Sequence, residues 1–185
     1  MSPMSSVSEV LRTARLRLVP ACHTEVDSAL AGAGSLAELM GIDAPAGVGA
    51  AEFDTSLTRQ AQGLLSAEDA EWPFYYVIAT LEQGPRLAGV VGYKGTLTPD
   101  GAIEIGYAVR ADFQGRGIAT EAAAALIARA FADGRVEAVI AETLAHLLPS
   151  IRVLEKLGFV AVAGGSGPDV LRFERRRGPS EACNP

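Results

Sequence analysis

The chain has 185 residues, 49% of them hydrophobic and 21% charged, and carries a formal net charge of −6. That length suits one domain with a substantial core, and the composition is that of a globular protein. The acidic balance argues against nucleic acid as a partner, and no apolar run approaches the roughly 18 residues of a membrane span.

The first ten residues, MSPMSSVSEV, lack the basic and apolar regions of a secretory signal. Two cysteines, Cys22 and Cys183, lie near opposite ends and show neither disulfide-framework nor metal-ligand spacing. A cytoplasmic, reducing location without a metal is therefore expected. Residues 1–10 are expected to be disordered, 11–177 to form the domain, and 178–185 to be a loose tail.

Along the chain, Leu16 and Leu18 alternate with Arg15 and Arg17, which reads as a half-buried strand over 14–19 ended by Pro20. Thr24 with Asp27 resembles a capping box, so a short helix is expected over 24–31, and a second over 54–65. FYYVIATL (74–81) and LAGVVGYK (87–94) form a hairpin signal around Glu82-Gln83-Gly84-Pro85. The turn at Thr98-Pro99-Asp100-Gly101 leads to a third strand, 102–109. Three strands joined by short loops predict an antiparallel meander.

In that third strand Ile103, Ile105, Tyr107 and Val109 share one face, and Glu104, Gly106 and Ala108 the other. An alanine-rich helix follows, with an apolar stripe from Ile118 to Phe131 ended by Asp133-Gly134. The next strand, 136–143, must lie parallel to 102–109, because a strand, a helix and a strand make a crossover. Pro149 suits the first turn of a short helix closed by Gly158, and two last strands are expected near 158–163 and 169–174. Arg175-Arg176-Arg177 reads as solvated chain.

The join at Gln114-Gly115-Arg116-Gly117-Ile118-Ala119 is chemically suggestive. Free N–H groups at a helix N-terminus carry the positive end of the helix dipole, and glycines admit positive φ and close approach. With Arg116 beside it, such a turn suits a diphosphate. Taken alone, Gly-Arg-Gly reads first as a turn that caps a helix. Neither the dinucleotide fingerprint nor the nucleotide P-loop pattern is present.

Gln114-x-x-Gly117-x-Ala119 resembles the acyl-CoA signature of the GNAT superfamily of N-acetyltransferases. EIGY, QGRGIATEA and SIRVLEKLGF between Ile103 and Phe159, with TARLRL at 13–18, are similar to its RimJ/RimL-type branch. The resemblance implies an α/β fold of the α+β type, in which helices flank a mixed, mostly antiparallel sheet. A bulge in the strand 102–109 would splay its parallel pair to admit pantetheine. Acetyl-CoA would be the acyl donor, contacted by Ala108, Val109 and Arg110 along the strand. Gln114, Gly115, Arg116, Gly117, Ile118, Ala119 and Thr120 would hold the pyrophosphate.

The acceptor implied is an amine, of a peptide N-terminus or of a small molecule. It would attack the thioester directly, with Glu104 as general base. Ser150 matches a serine proposed in that branch to meet the sulfur. Leu147 and Leu154 stand where many members carry asparagine and a tyrosine acid, so the usual acid is missing. His146 reads as an exposed loop residue and His23 is uninformative. Met40, Phe53 and Trp72 are candidates for the acceptor wall or for plain core. A non-catalytic acyl-CoA-binding or sensory module is the alternative, and homodimerisation is left open.

Overall fold

The computed structural model describes residues 10–21, 72–81 and 84–179, and these contain eight strands. They are β1 (Leu11–Arg12), β2 (Leu16–Pro20), β3 (Phe74–Leu81), β4 (Gly84–Lys94), β5 (Ala102–Val109), β6 (Ala138–Leu144), β7 (Val160–Val162) and β8 (Val170–Arg176). The described helices are a 3-10 turn at Ala111–Phe113, α1 (Ile118–Ala132) and α2 (Leu148–Lys156). All the strands belong to one sheet, ordered β1-β2-β3-β4-β5-β6-β8-β7. Among the described strands only β5 and β6 run parallel. This is the mixed, mostly antiparallel α/β arrangement expected.

The crossover β5-α1-β6 builds the core. The helix turns Ile118, Ala122, Ala123, Leu126, Ile127, Ala130 and Phe131 inward, as its stripe predicts. They meet Leu16, Leu18, Tyr75, Val77, Val91, Tyr93, Ile103 and Ile105 on one face of the sheet. The alanines let the helix axis come close, while each buried Leu or Ile stabilises the fold by about 1.5–3 kcal/mol. Tyr93 keeps its hydroxyl satisfied in this core by donating to Leu126 O at 2.6 Å. Trp72, 4% exposed, packs edge-on against the Tyr93 ring.

Several expectations are corrected. The irregularity in the sheet is not in β5. It falls where Val77 pairs Gly89 and Ile78 pairs Leu87, so the extra residue is Ala88 of β4, and the β4–β5 register runs unbroken. Gly84 and Pro85 are not turn residues, because the β3–β4 ladder continues to Leu81↔Gly84. Nor is the arginine run free in solvent. Arg175 and Arg176 extend β8 by pairing with Val139 and Ala138.

Arg177 finishes α1. Its guanidinium donates to Phe131 O at 2.8 Å, to Asp133 O, and through Nε to Val136 O at 2.8 Å. Carbonyls at a helix C-terminus lack intrahelical donors, and a cation there also meets the negative end of the dipole. The helices expected over 24–31 and 54–65 lie outside the described residues.

Candidate active site

The two parallel strands stay together for only three pairs, Ala102↔Ala138, Ile103↔Val139 and Glu104↔Ile140. Past that point β5 is held by β4 as far as Val109, and β6 by β8 as far as Leu144. Each strand follows its outer neighbour and a wedge opens between them. The resulting cavity, about 370 Å³, passes through the sheet. Lys94, Gly106 and Ala108 line it from one side of the β4–β5 layer, Ile105 and Tyr107 from the other. Ala141, Glu142, Thr143 and Leu144 form the opposite wall, and Leu147, Ser150 and Leu154 close it from α2.

Main-chain polarity in the wedge follows from the ladder. The Arg110 N–H donates to Ala88 O at 2.9 Å, which sets the alternation along β5. Glu104, Gly106, Ala108 and Arg110 therefore direct their backbone groups to β4, and Ile105, Tyr107 and Val109 direct theirs to the wedge. Of the three residues expected to contact pantetheine by main chain, Val109 is so oriented; Ala108 contributes its small side chain to the wall. Tyr107 has the orientation and was not singled out from sequence. The Val109 carbonyl already accepts from Gln114 Nε2 at 3.0 Å.

At the open end of the wedge, the 3-10 turn leads into Gln114-Gly115-Arg116-Gly117. Gly117 caps α1 at φ 77°, and Gly115 has φ 71°. Glu121 N–H makes a bond to Gly117 O, so by helix geometry the amides of Ile118, Ala119 and Thr120 have no intrahelical acceptor. Three guanidiniums gather over the Phe113 ring beside this turn, Arg86 and Arg116 at 5.7 Å and Arg110 at 6.0 Å. Asp112 draws in Arg110 at 3.1 Å and Arg86 at 3.5 Å.

Arg15 braces the same turn. It donates to Arg116 O at 2.9 Å and pairs with Glu121 Oε2 at 2.7 Å. Thr13 Oγ1 and the Arg15 amide donate to the other carboxylate oxygen of Glu121. Burial raises the pKa of Glu121, but these hydrogen bonds and the Arg15 charge outweigh it and hold the carboxyl below its usual range. The opening TARLRL motif thus supports the helix start.

Glu104 belongs to the last β5–β6 pair, at the narrow end, on the sheet face opposite α1. It does not itself line the cavity; its carboxylate accepts from Lys94 Nζ, which does. Ser150 lines the wedge near the start of α2. Tyr107 reaches across from β5 and donates its hydroxyl to Ser150 O at 3.3 Å. Burial pushes the Tyr107 phenol up to about 12, against the lowering effect of its contact with Ser150.

Leu154, 1% exposed, is both core and cavity wall, and Leu147 occupies the N-cap without a side-chain bond. His146 is exposed and away from the wedge lining. Trp72 is core, while Met40 and Phe53 lie outside the described residues. Glu142 was missed from sequence because its partners are distant in the chain. It is held by Ser166 Oγ and by Arg172 Nη1 at 3.4 Å, fixing the β7–β8 loop to the β6 wall. Among the described residues no three His, Cys, Asp or Glu side chains gather to hold a metal, and no helix is long and apolar enough to cross a membrane.

Comparison with curated proteins gives no significant match. Among solved structures, a protein from Bordetella pertussis assigned to the GnaT family of acetyltransferases is 26% identical. It covers 90% of this chain and 99% of its own, with a TM-score of 0.59. RimL, a ribosomal L7/L12 alpha-N-protein acetyltransferase in complex with coenzyme A, is 17% identical at a TM-score of 0.63, covering 95% and 100%. An acetyltransferase from Agrobacterium tumefaciens is 22% identical at 0.60, covering 91% and 95%. Residues 15–160 match the model of the acetyltransferase (GNAT) domain. That span contains the wedge, the glycine turn and both described helices, and by it the chain belongs to the GNAT acetyltransferases, enzymes that carry an acetyl group from acetyl-CoA to an amine.

Proposed function

We propose that acetyl-CoA lies extended in the wedge, with its thioester at the narrow end beside Glu104. The observation that carries this reading is the parting of β5 from β6 after three pairs, with a glycine turn and helix start at the open end. The amides from Gln114 to Thr120, with the charge of Arg116, take the pyrophosphate. Tyr107 and Val109 offer main-chain groups to the pantetheine, much as an added strand would pair. Ala108 keeps the wall low enough for the arm to pass. Arg110 supports the turn through Asp112.

The amine attacks the thioester carbon and Glu104 takes a proton from it, directly or through a water. The slot-facing amide of Tyr107 lies nearest the narrow end beyond the last β5–β6 pair and stabilises the oxyanion. A thiolate with a pKa near 8.5 leaves readily. A phenol at about 12 does not surrender its proton to such a thiolate, so Tyr107 assists by turning its one O–H from the Ser150 carbonyl to the sulfur. Ser150 positions that phenol through its carbonyl. This arrangement substitutes for the tyrosine missing at Leu154.

The acceptor is a primary amine. RimL is named for acetylating a protein α-amine, which favours a protein N-terminus and the RimJ/RimL-type branch over a small molecule. The test is thiol release from acetyl-CoA with a panel of N-terminal peptides and small amines. Release with a peptide supports the first acceptor class, release with a small amine alone the second, and release with none overturns the catalytic reading. Glu104→Gln is expected to lower kcat by roughly 10²–10⁴ with acetyl-CoA affinity kept. Tyr107→Phe is expected to lower kcat by about tenfold, the worth of one hydrogen bond to a charged group.

A further inference from the structure

Lysine is scarce in this chain: only Lys94 and Lys156 occur, and arginine supplies the remaining basic side chains. Lys156 sits exposed in the last turn of α2. Lys94 ends β4 directly opposite Glu104, donates to its carboxylate, and lines the wedge with a side chain 40% exposed. Glu104 is in the last β5–β6 pair, so this amine stands where the wedge is narrowest. The glycine turn follows β5 at the opposite, open end. A thioester anchored at that turn and extended inward directs its acyl group at Lys94. An arginine at this position would make the same ion pair without offering a nucleophile.

We propose that the protein acetylates its own Lys94. The inference rests on the placement of acetyl-CoA given above. Glu104 takes one proton from the Lys94 ammonium, and the freed Nζ lone pair forms a C–N bond to the thioester carbon. The tetrahedral intermediate then collapses. Its C–S bond breaks, the electron pair goes to sulfur, and the second nitrogen proton passes to the departing thiolate. Coenzyme A leaves as the thiol, Lys94 becomes a neutral amide, and Glu104 returns its proton to solvent. The modification removes the cation facing Glu104 and releases that carboxylate from its ion pair.

The test is peptide mass mapping of the full chain after incubation with acetyl-CoA, following Lys94 and Lys156 over time. In the wild-type protein Lys94 is expected to gain one acetyl group at least about tenfold faster than Lys156, since a held nucleophile outruns a free one. The rate is expected not to depend on protein concentration. Glu104→Gln and Gly117→Val should each bring Lys94 down toward the rate of Lys156. Calorimetry of acetyl-CoA binding and thiol release with the amine panel run alongside. A wild-type protein that binds acetyl-CoA and acetylates an added amine, yet leaves Lys94 no faster than Lys156, overturns self-acetylation alone. A protein that does not bind acetyl-CoA overturns both readings.

Discussion

Glu121 shows how a single side chain couples the N-terminal strands to the helix start. Its carboxylate accepts from Thr13 and from the Arg15 backbone and side chain. Burial raises its pKa, and those donors together bring it below the usual 4.5. A carboxyl with a lower folded than unfolded pKa adds stability that is complete above the unfolded value. That stability is lost as pH falls through the folded value. Glu121→Gln is therefore expected to destabilise the protein at neutral pH by about 1–2 kcal/mol in urea unfolding, the Arg15 side being half exposed. The difference should begin to shrink as pH falls past the unfolded value and close once it is below the lowered folded one. Nothing local to Glu121 announces this role in the sequence, because its donors lie more than a hundred positions away.

At the scale of elements, what could be read from sequence was what depends on near neighbours. The hairpin signal at 74–81, the alternation in 102–109 and the stripe of α1 required only local pattern and turn chemistry, and the structure has all three elements. β1 went unread because two residues are a strand only when β2 pairs with them. The last strand was expected to end at 174; β6 offers partners through Ala138, and it continues to Arg176. In the proposed placement of acetyl-CoA, the start of α1 is the element on which its binding turns. A valine at Gly117 would need φ near 77° and would bring Cβ within 3.3 Å of Arg15 Nη2. The strain, roughly 1–3 kcal/mol, would turn the phosphate-facing amides. Gly117→Val is accordingly expected to raise the Kd for acetyl-CoA at least about tenfold by calorimetry, with the circular dichroism of a folded chain retained.

At the scale of the molecule, the sheet is two antiparallel halves, β1 to β5 and β6 with β8 and β7, joined by three parallel pairs and the α1 crossover. A ligand that fills the wedge touches both halves and binds only the folded chain. Coenzyme A at a hundred times its Kd should therefore stabilise the protein by about 2.7 kcal/mol, read as a rise in Tm that grows with ligand concentration. In the Gly117→Val variant the same concentration should give a smaller rise.

The sequence by itself determined the family, the parallel placement of β5 and β6, the glycine turn ahead of α1, and Glu104 on the face away from the helix. The family rests on the resemblance of its motifs; the other three follow from spacing along a short stretch, where period, turn residues and crossover length leave few arrangements. Only the tertiary structure decided that the wedge opens without a bulge in β5, that Tyr107 meets Ser150 of α2, and that Lys94 is paired with Glu104. Those depend on which neighbour holds each strand and on which side chains meet across a sheet, and contacts between distant segments leave no period in the sequence to read.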